Sequence, residues 1–222
     1  MSNIAKITRL AVFVDHDNFV SHYCAMHNLK PEAVSVWDGL SAGLTRHYQR
    51  HFANPAFEAV EHVGTHVCVG VSDFMAKEEK EIKARLQQID RKHGFIISYG
   101  DRIGSYRDKD GTYRLGQEKG VDAEIICRML MGAFLNHFDA CVLMSDDSDF
   151  LPAVSRVQEY FGKKVIQAGF KDSKLRDQCY ANIAWEKAGK DLGFGEQQKQ
   201  QSQQQGNGAA KPADRNQLPG PA

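Results

Sequence analysis

Short apolar runs alternate with amphipathic ones along most of the chain. Residues 10–14 (LAVFV) are wholly apolar and rich in β-branched types, which predicts a strand buried on both faces. Helical patterns follow over 19–28 and 31–52, where Val34, Trp37, Leu40, Leu44 and Tyr48 recur at spacings of three and four and form a core-facing stripe. Asn54-Pro55 breaks that pattern. Residues 66–71 (HVCVGV) predict a second buried strand. The charged stretch 75–93 repeats Ile82, Leu86 and Ile89, as a one-sided surface helix does, and Gly94 is its natural stop. A third strand is expected at 95–99 (FIISY). The polar stretch 102–115 has Asp110-Gly111 between Tyr106 and Tyr113, as in a β-hairpin or extended arm.

The second half repeats the alternation. Residues 119–138 read as a helix with Val121, Ile125, Ile126, Met129 and Leu130 along one side. Residues 141–144 (CVLM) then form an apolar strand that runs into Asp146, Asp147 and Asp149. Pro152 opens a helix carrying Val154, Val157, Tyr160 and Phe161, with Ser148 or Asp149 as its N-cap and Gly162 as its end. A strand at 164–168, a helix or turn over 173–180 and a short apolar segment at 183–185 complete the pattern. Residues 1–194 are therefore expected to form one domain. Residues 195–222 are Gln-rich, nearly devoid of large apolar side chains and expected to be a disordered tail, because they cannot bury enough surface to offset ordering entropy.

Strands alternating with helices imply an α/β fold with a mainly parallel sheet and right-handed crossovers. In such sheets functional groups collect past the C-terminal strand ends, where the strand order switches. Two acidic clusters, 15–18 (DHDN) and 146–149 (DDSD), fall at that edge.

Composition narrows the chemistry only slightly. Lys+Arg and Asp+Glu both number 28, so any surface for a polyanion must be local. The cysteines number five, an odd count, and form no C-x-x-C pair, which suits free thiols in a reducing cytosol. No apolar run reaches the ~18 residues of a membrane span and the N-terminus is not a signal peptide, so a cytoplasmic protein is expected.

One carboxylate after a strand is ordinary helix capping; three within four residues are too many, because like charges this close raise one another's pKa unless a cation neutralises them. Mg²⁺ or Mn²⁺, which take oxygen ligands and keep several waters, is the economical neutraliser. Asp15, Asp147 and Asp149 from two strand ends, with Asp122 from the first turn of a helix, are the candidate ligands and catalytic acids. Asn18 either caps the following helix or holds a phosphate or metal-bound water. His47/His51 and His62/His66 have helical metal-pair spacing without an acidic partner motif, so zinc is not indicated. No phosphate-binding glycine loop and no nucleophile elbow is present. Arg102, Tyr106, Arg107, Lys109, Tyr113 and Arg114 interleave bases with aromatics, a mix that suits either a single-stranded RNA contact or a solvated hairpin.

The phrases AVFVDHDN, KGVDAEIICRML and VLMSDDSDFLPAVSRVQEYFGKKVIQAGF together resemble the NYN domain of the LabA-like type, within the PIN-like nuclease group. The resemblance covers residues 10–185. It implies a three-layer α/β/α fold, metal-dependent ribonuclease activity in active members, and an acidic set of Asp15, Asp122, Asp147 and Asp149 with Asn18 beside them. Lys119, Arg102, Arg107 and Arg114 are the expected RNA-binding residues. Three departures from the family pattern stand out. Asp146 and His16 occupy places where glycine is common, and Arg128 stands where a second helix acid is common, with Glu124 as a substitute. FVDHDN also resembles the D-x-D of haloacid-dehalogenase-like phosphatases, with Asp15 as nucleophile and Asp17 as acid/base; Asn18-Phe19 departs from that pattern. A catalytically silent RNA-binding or adaptor domain is the third reading.

Overall fold

The computed structural model describes residues 6–28, 37–72, 77–90, 94–111, 113–114, 116–170 and 173–185. The first strand, β1 (Lys6–Asp15), shows why the apolar run reads as doubly buried. Leu10, Val12 and Val14 point into one core while Ala11 and Phe13 point into another, and all five are at most 3% exposed. The first core is closed by α1 (His16–His27), α2 (Trp37–His51) and α3 (Lys77–Asp90). The second is closed by α4 (Val121–Phe134), α5 (Leu151–Glu159) and the short α6 (Lys174–Gln178). A sheet between two helical layers is the expected three-layer α/β/α arrangement.

The remaining strands of the sheet are β2 (Glu58–Val71), β3 (Phe95–Ile103), β6 (Gln117–Lys119), β7 (Ala140–Met144), β8 (Lys164–Gly169) and β9 (Ala181–Ala184). Their order is β6-β3-β2-β1-β7-β8-β9, parallel throughout except for β6, which runs antiparallel to β3. The chain builds outward from β1 on one side, then returns to add β7 on the other. The strand order therefore switches between β1 and β7, and a crevice opens at their C-terminal ends.

Periodicity located most helices. Trp37, Leu40, Leu44 and Tyr48 on α2 are all buried, as are Leu86 and Ile89 on α3 and Val121, Ile125 and Met129 on α4. The start of the α2 pattern, with Val34, the flanks of the α3 pattern and the Gln-rich tail lie outside the described residues. Three strands are much longer than expected: β1 begins at Lys6, four residues before its apolar run. β2 begins at Glu58, where alternating half-exposed and exposed residues pair with the polar start of β1, so the apolar run marks only its buried half. β3 continues to Ile103, which places Arg102 on a sheet strand instead of in the arm. The arm itself forms as predicted: β4 (Tyr106–Arg107) pairs antiparallel with β5 (Tyr113–Arg114) around Asp110-Gly111. No described helix is long and apolar enough to cross a membrane.

Candidate metal centre

Each acidic group reaches the crevice by a different local device. Asp15 ends β1 and caps α1: its Oδ1 accepts from the Asn18 backbone N–H at 3.3 Å. Its Oδ2 accepts from Ser145 Oγ at 2.9 Å, which joins the β1 end to the β7 end. The residue is 4% exposed, and burial pushes its pKa up to about 7. Asp122 lies in the first turn of α4, after Gly120, which takes φ 82° as N-cap and lets the chain turn sharply out of β6. Burial, then the charges of Asp147 and Asp149, raise the Asp122 pKa. Asp147 caps the 3₁₀ turn Ser148–Phe150, its Oδ1 accepting from the Asp149 backbone N–H at 2.9 Å. Neither Ser148 nor Asp149 caps α5: the 3₁₀ turn precedes that helix, whose own N-cap is Phe150 without a side-chain hydrogen bond.

Asp122, Asp147 and Asp149 each offer a carboxylate oxygen, and the three oxygens lie within 4.8 Å of one another. No Lys or Arg pairs with any of the three among the described residues. An uncompensated group of hard oxygen donors is the kind of donor set that a hard divalent cation such as Mg²⁺ or Mn²⁺ takes. Asp15 stands outside this trio but shares with Asp122 and Asp147 the wall of one cavity of about 370 Å³, which also includes Asn18.

The residues around the trio take separate roles. Asp146 is 6% exposed and turned away: it accepts from Gln167 Nε2 at 2.8 Å and the Phe170 backbone N–H at 3.1 Å, locking the loop after β7 to β8. Asn18 caps nothing. Its Oδ1 accepts from the Asp146 backbone N–H at 3.0 Å and clamps the two strand-end loops together. Glu124 is bound by Arg128 Nε at 2.6 Å, one turn along α4, so it does not replace the missing family acid in the trio. Arg107 and Arg114 are exposed on the arm, Arg107 Nη1 donating to Gly111 O at 3.0 Å and Arg114 Nε to Asp108 at 2.7 Å. Lys119 is exposed at the end of β6.

Arg102 is the clearest displacement. Its side chain is 4% exposed and contacts both Asp17 and Glu118, the latter at 3.1 Å. It also donates from Nη2 to Gly70 O at 3.0 Å and from Nη1 to Gly116 O at 3.0 Å. One guanidinium thereby ties the end of β2, the edge strand β6 and the start of α1. The five fixed donors of arginine suit such a junction, and a buried cation needs these partners.

Glu118 escaped the sequence reading. It lines the cavity, and burial, with the Asp17 charge, pushes its pKa up to about 7. A Cβ on Gly70 would stand 2.5 Å from Glu118 Oε1, so glycine there makes room for the carboxylate, which also accepts from the Gly70 N–H. A lone glutamate in a polar stretch carries no periodic signal; only its place just before KGVD hinted at the site. Asp17, in turn, has its pKa held down: burial opposes this, but the His16 and Arg102 contacts prevail.

The NYN domain model matches residues 9–186. The chain belongs to the NYN domain family. NYN domains are PIN-like nuclease domains, and the acidic trio sits where the strand order of this fold switches. Among solved structures, a protein of unknown function from Vibrio parahaemolyticus is similar at 17% identity and a TM-score of 0.52, over 83% of this chain and 95% of that one, a likeness of fold alone. A structure from work on Sir2 enzymes aligns at 13% identity and a TM-score of 0.34, over 86% of this chain and 90% of that one, too low to bear on function. No curated protein matches the sequence. The phosphatase resemblance finds little support in this NYN site: Asp15 is buried with both carboxylate oxygens hydrogen-bonded, and Asp17 is occupied by Arg102 and His16.

Proposed function

We propose that the chain is a divalent-cation-dependent ribonuclease of the LabA-like type that hydrolyses single-stranded RNA at the Asp122–Asp147–Asp149 trio. The observation that carries this reading is the trio itself: three carboxylates from two separate segments, within 4.8 Å and without a basic partner among the described residues, in a nuclease-family fold. Asp122, Asp147 and Asp149 would hold the cation, which would supply Lewis-acid charge to the scissile phosphate and to the attacking water. Hydrolysis forms a phosphorus–oxygen bond to that water and breaks the bond to one ribose oxygen. Asp15, held by Ser145 and the Asn18 N–H, keeps the β1 end registered against the β7 end that carries Asp147. Asn18 and Asp146 fix the same loop from its other side.

Incubating the purified protein with labelled single-stranded RNA and with a generic phosphomonoester, in Mn²⁺ or in EDTA, tests this reading. Cleavage of RNA that EDTA abolishes supports it. Turnover of the monoester instead, or binding of RNA without any cleavage, would replace it by the phosphatase or the silent adaptor.

With equal numbers of acidic and basic residues the chain has no global field to draw in RNA, so a local basic element must act. Arg107 and Arg114 on the exposed arm, with Lys119 and the 58% exposed Tyr106, are that element in this reading. Arg107→Ala/Arg114→Ala is expected to weaken RNA binding and to lower the salt slope of the affinity by about 0.7 per lost phosphate contact. Titration of labelled RNA at several salt concentrations checks this. Identical slopes for wild type and variant would reduce the arm to a solvated hairpin.

A further inference from the structure

The cavity beside the carboxylates is lined by two kinds of side chain. Asp15, Asp17, Glu118, Asp122 and Asp147 supply carboxylates, while Val20 on α1, itself largely buried, and the half-buried Ile82 on α3 supply aliphatic surface, with the exposed Ser21 next to Val20. His16 also lines the cavity, and its ring is stacked on Trp37 with centroids 5.6 Å apart and planes 10° from parallel. Acid-site chemistry alone does not require an apolar surface. A phosphate or a ribose would gain nothing from lying against Val20 and Ile82, whereas the flat face of a nucleobase would.

Resting on the ribonuclease reading, we infer that the Val20–Ser21–Ile82 side of the cavity is a nucleobase subsite. It receives the base of the nucleotide whose phosphate lies at the carboxylate trio. The volume of about 370 Å³ falls at the small end of the ~300–1,000 Å³ range of ligand pockets, which suits one nucleotide and not a base pair. The base must leave its stack to enter, as bases do when a protein reads an unpaired strand. Recognition is through the apolar face of the ring, so the subsite accepts different bases but requires that a base be present.

An abasic substrate tests this without altering the protein. An unstructured RNA oligonucleotide with one internal abasic ribonucleotide is incubated with the wild-type protein and Mn²⁺, and cleavage at the bonds flanking that position is compared with the same bonds in the intact strand. The flanking cleavage is expected to fall by ~10-fold or more, the scale set by lost apolar pocket contacts, while distant bonds are cut as before. Ser21→Trp places an indole at the margin of the subsite from an exposed helix position, so it is expected to slow cleavage of the intact strand to a similar degree while keeping the melting temperature and its response to Mn²⁺. Unchanged cleavage beside the abasic residue, or a Ser21→Trp protein as active as wild type, overturns the subsite alone. Absence of cleavage by the wild type overturns the ribonuclease reading and the subsite with it; full activity of Asp147→Asn overturns the trio as the place of cleavage, and the subsite beside it.

Discussion

Asp147→Asn is expected to lower RNA cleavage by ~100-fold or more while leaving the fold intact. Each factor of ten in rate corresponds to ~1.4 kcal/mol, and loss of a charged ligand to a catalytic cation removes several kcal/mol of transition-state stabilisation. The structural role of Asp147 survives the change. Its Oδ1 accepts the Asp149 N–H, and the amide oxygen of asparagine accepts the same bond with the same shape. Circular dichroism and melting temperature should therefore match the wild type, and RNA affinity should be preserved because the arm is untouched. A variant that cleaves at the wild-type rate would remove Asp147 from the site.

The second large effect concerns stability. Arg102→Met keeps the apolar stem but withdraws the cation that Asp17 and Glu118 face, and it leaves the Gly70 and Gly116 carbonyls without their donor. Breaking a buried ion pair by removing one partner typically costs ~3–5 kcal/mol, because the remaining charges stay desolvated. Urea denaturation of the two proteins measures it. A loss under ~1 kcal/mol would be the behaviour of an exposed surface pair and would return Arg102 to the arm, where its sequence neighbours Tyr106 and Arg107 suggested it belonged.

That displacement marks the boundary of what was legible. The buried strands were readable because a sheet covered on both faces leaves apolar runs such as LAVFV and CVLM, with alternate residues feeding two cores. The trio was readable in part because crowded aspartates after a strand have few structural uses. Side-chain direction was less legible. Asp146, Asp147 and Asp149 look alike in local pattern; the family resemblance selected Asp147 and Asp149, and these two face Asp122 while Asp146 is taken by Gln167 and Phe170. Arg102 and Arg107 differ in one respect that no local pattern carries: β3 runs on to Ile103 and buries the first against β2 and β6. Glu118 needed the same three-dimensional information, since its seat depends on Gly70, 48 residues earlier.

Crowded carboxylates that repel one another in the cation-free protein should be relieved by an ion that binds only the folded state, and such binding raises stability by mass action. Thermal melts of wild type and Asp122→Asn/Asp147→Asn, each at increasing Mn²⁺, read this out without any substrate. The predicted result is a melting temperature that climbs with Mn²⁺ in the wild type and stays flat in the double variant. Equal shifts in both proteins, or no shift in either, would contradict a cation site at Asp122, Asp147 and Asp149.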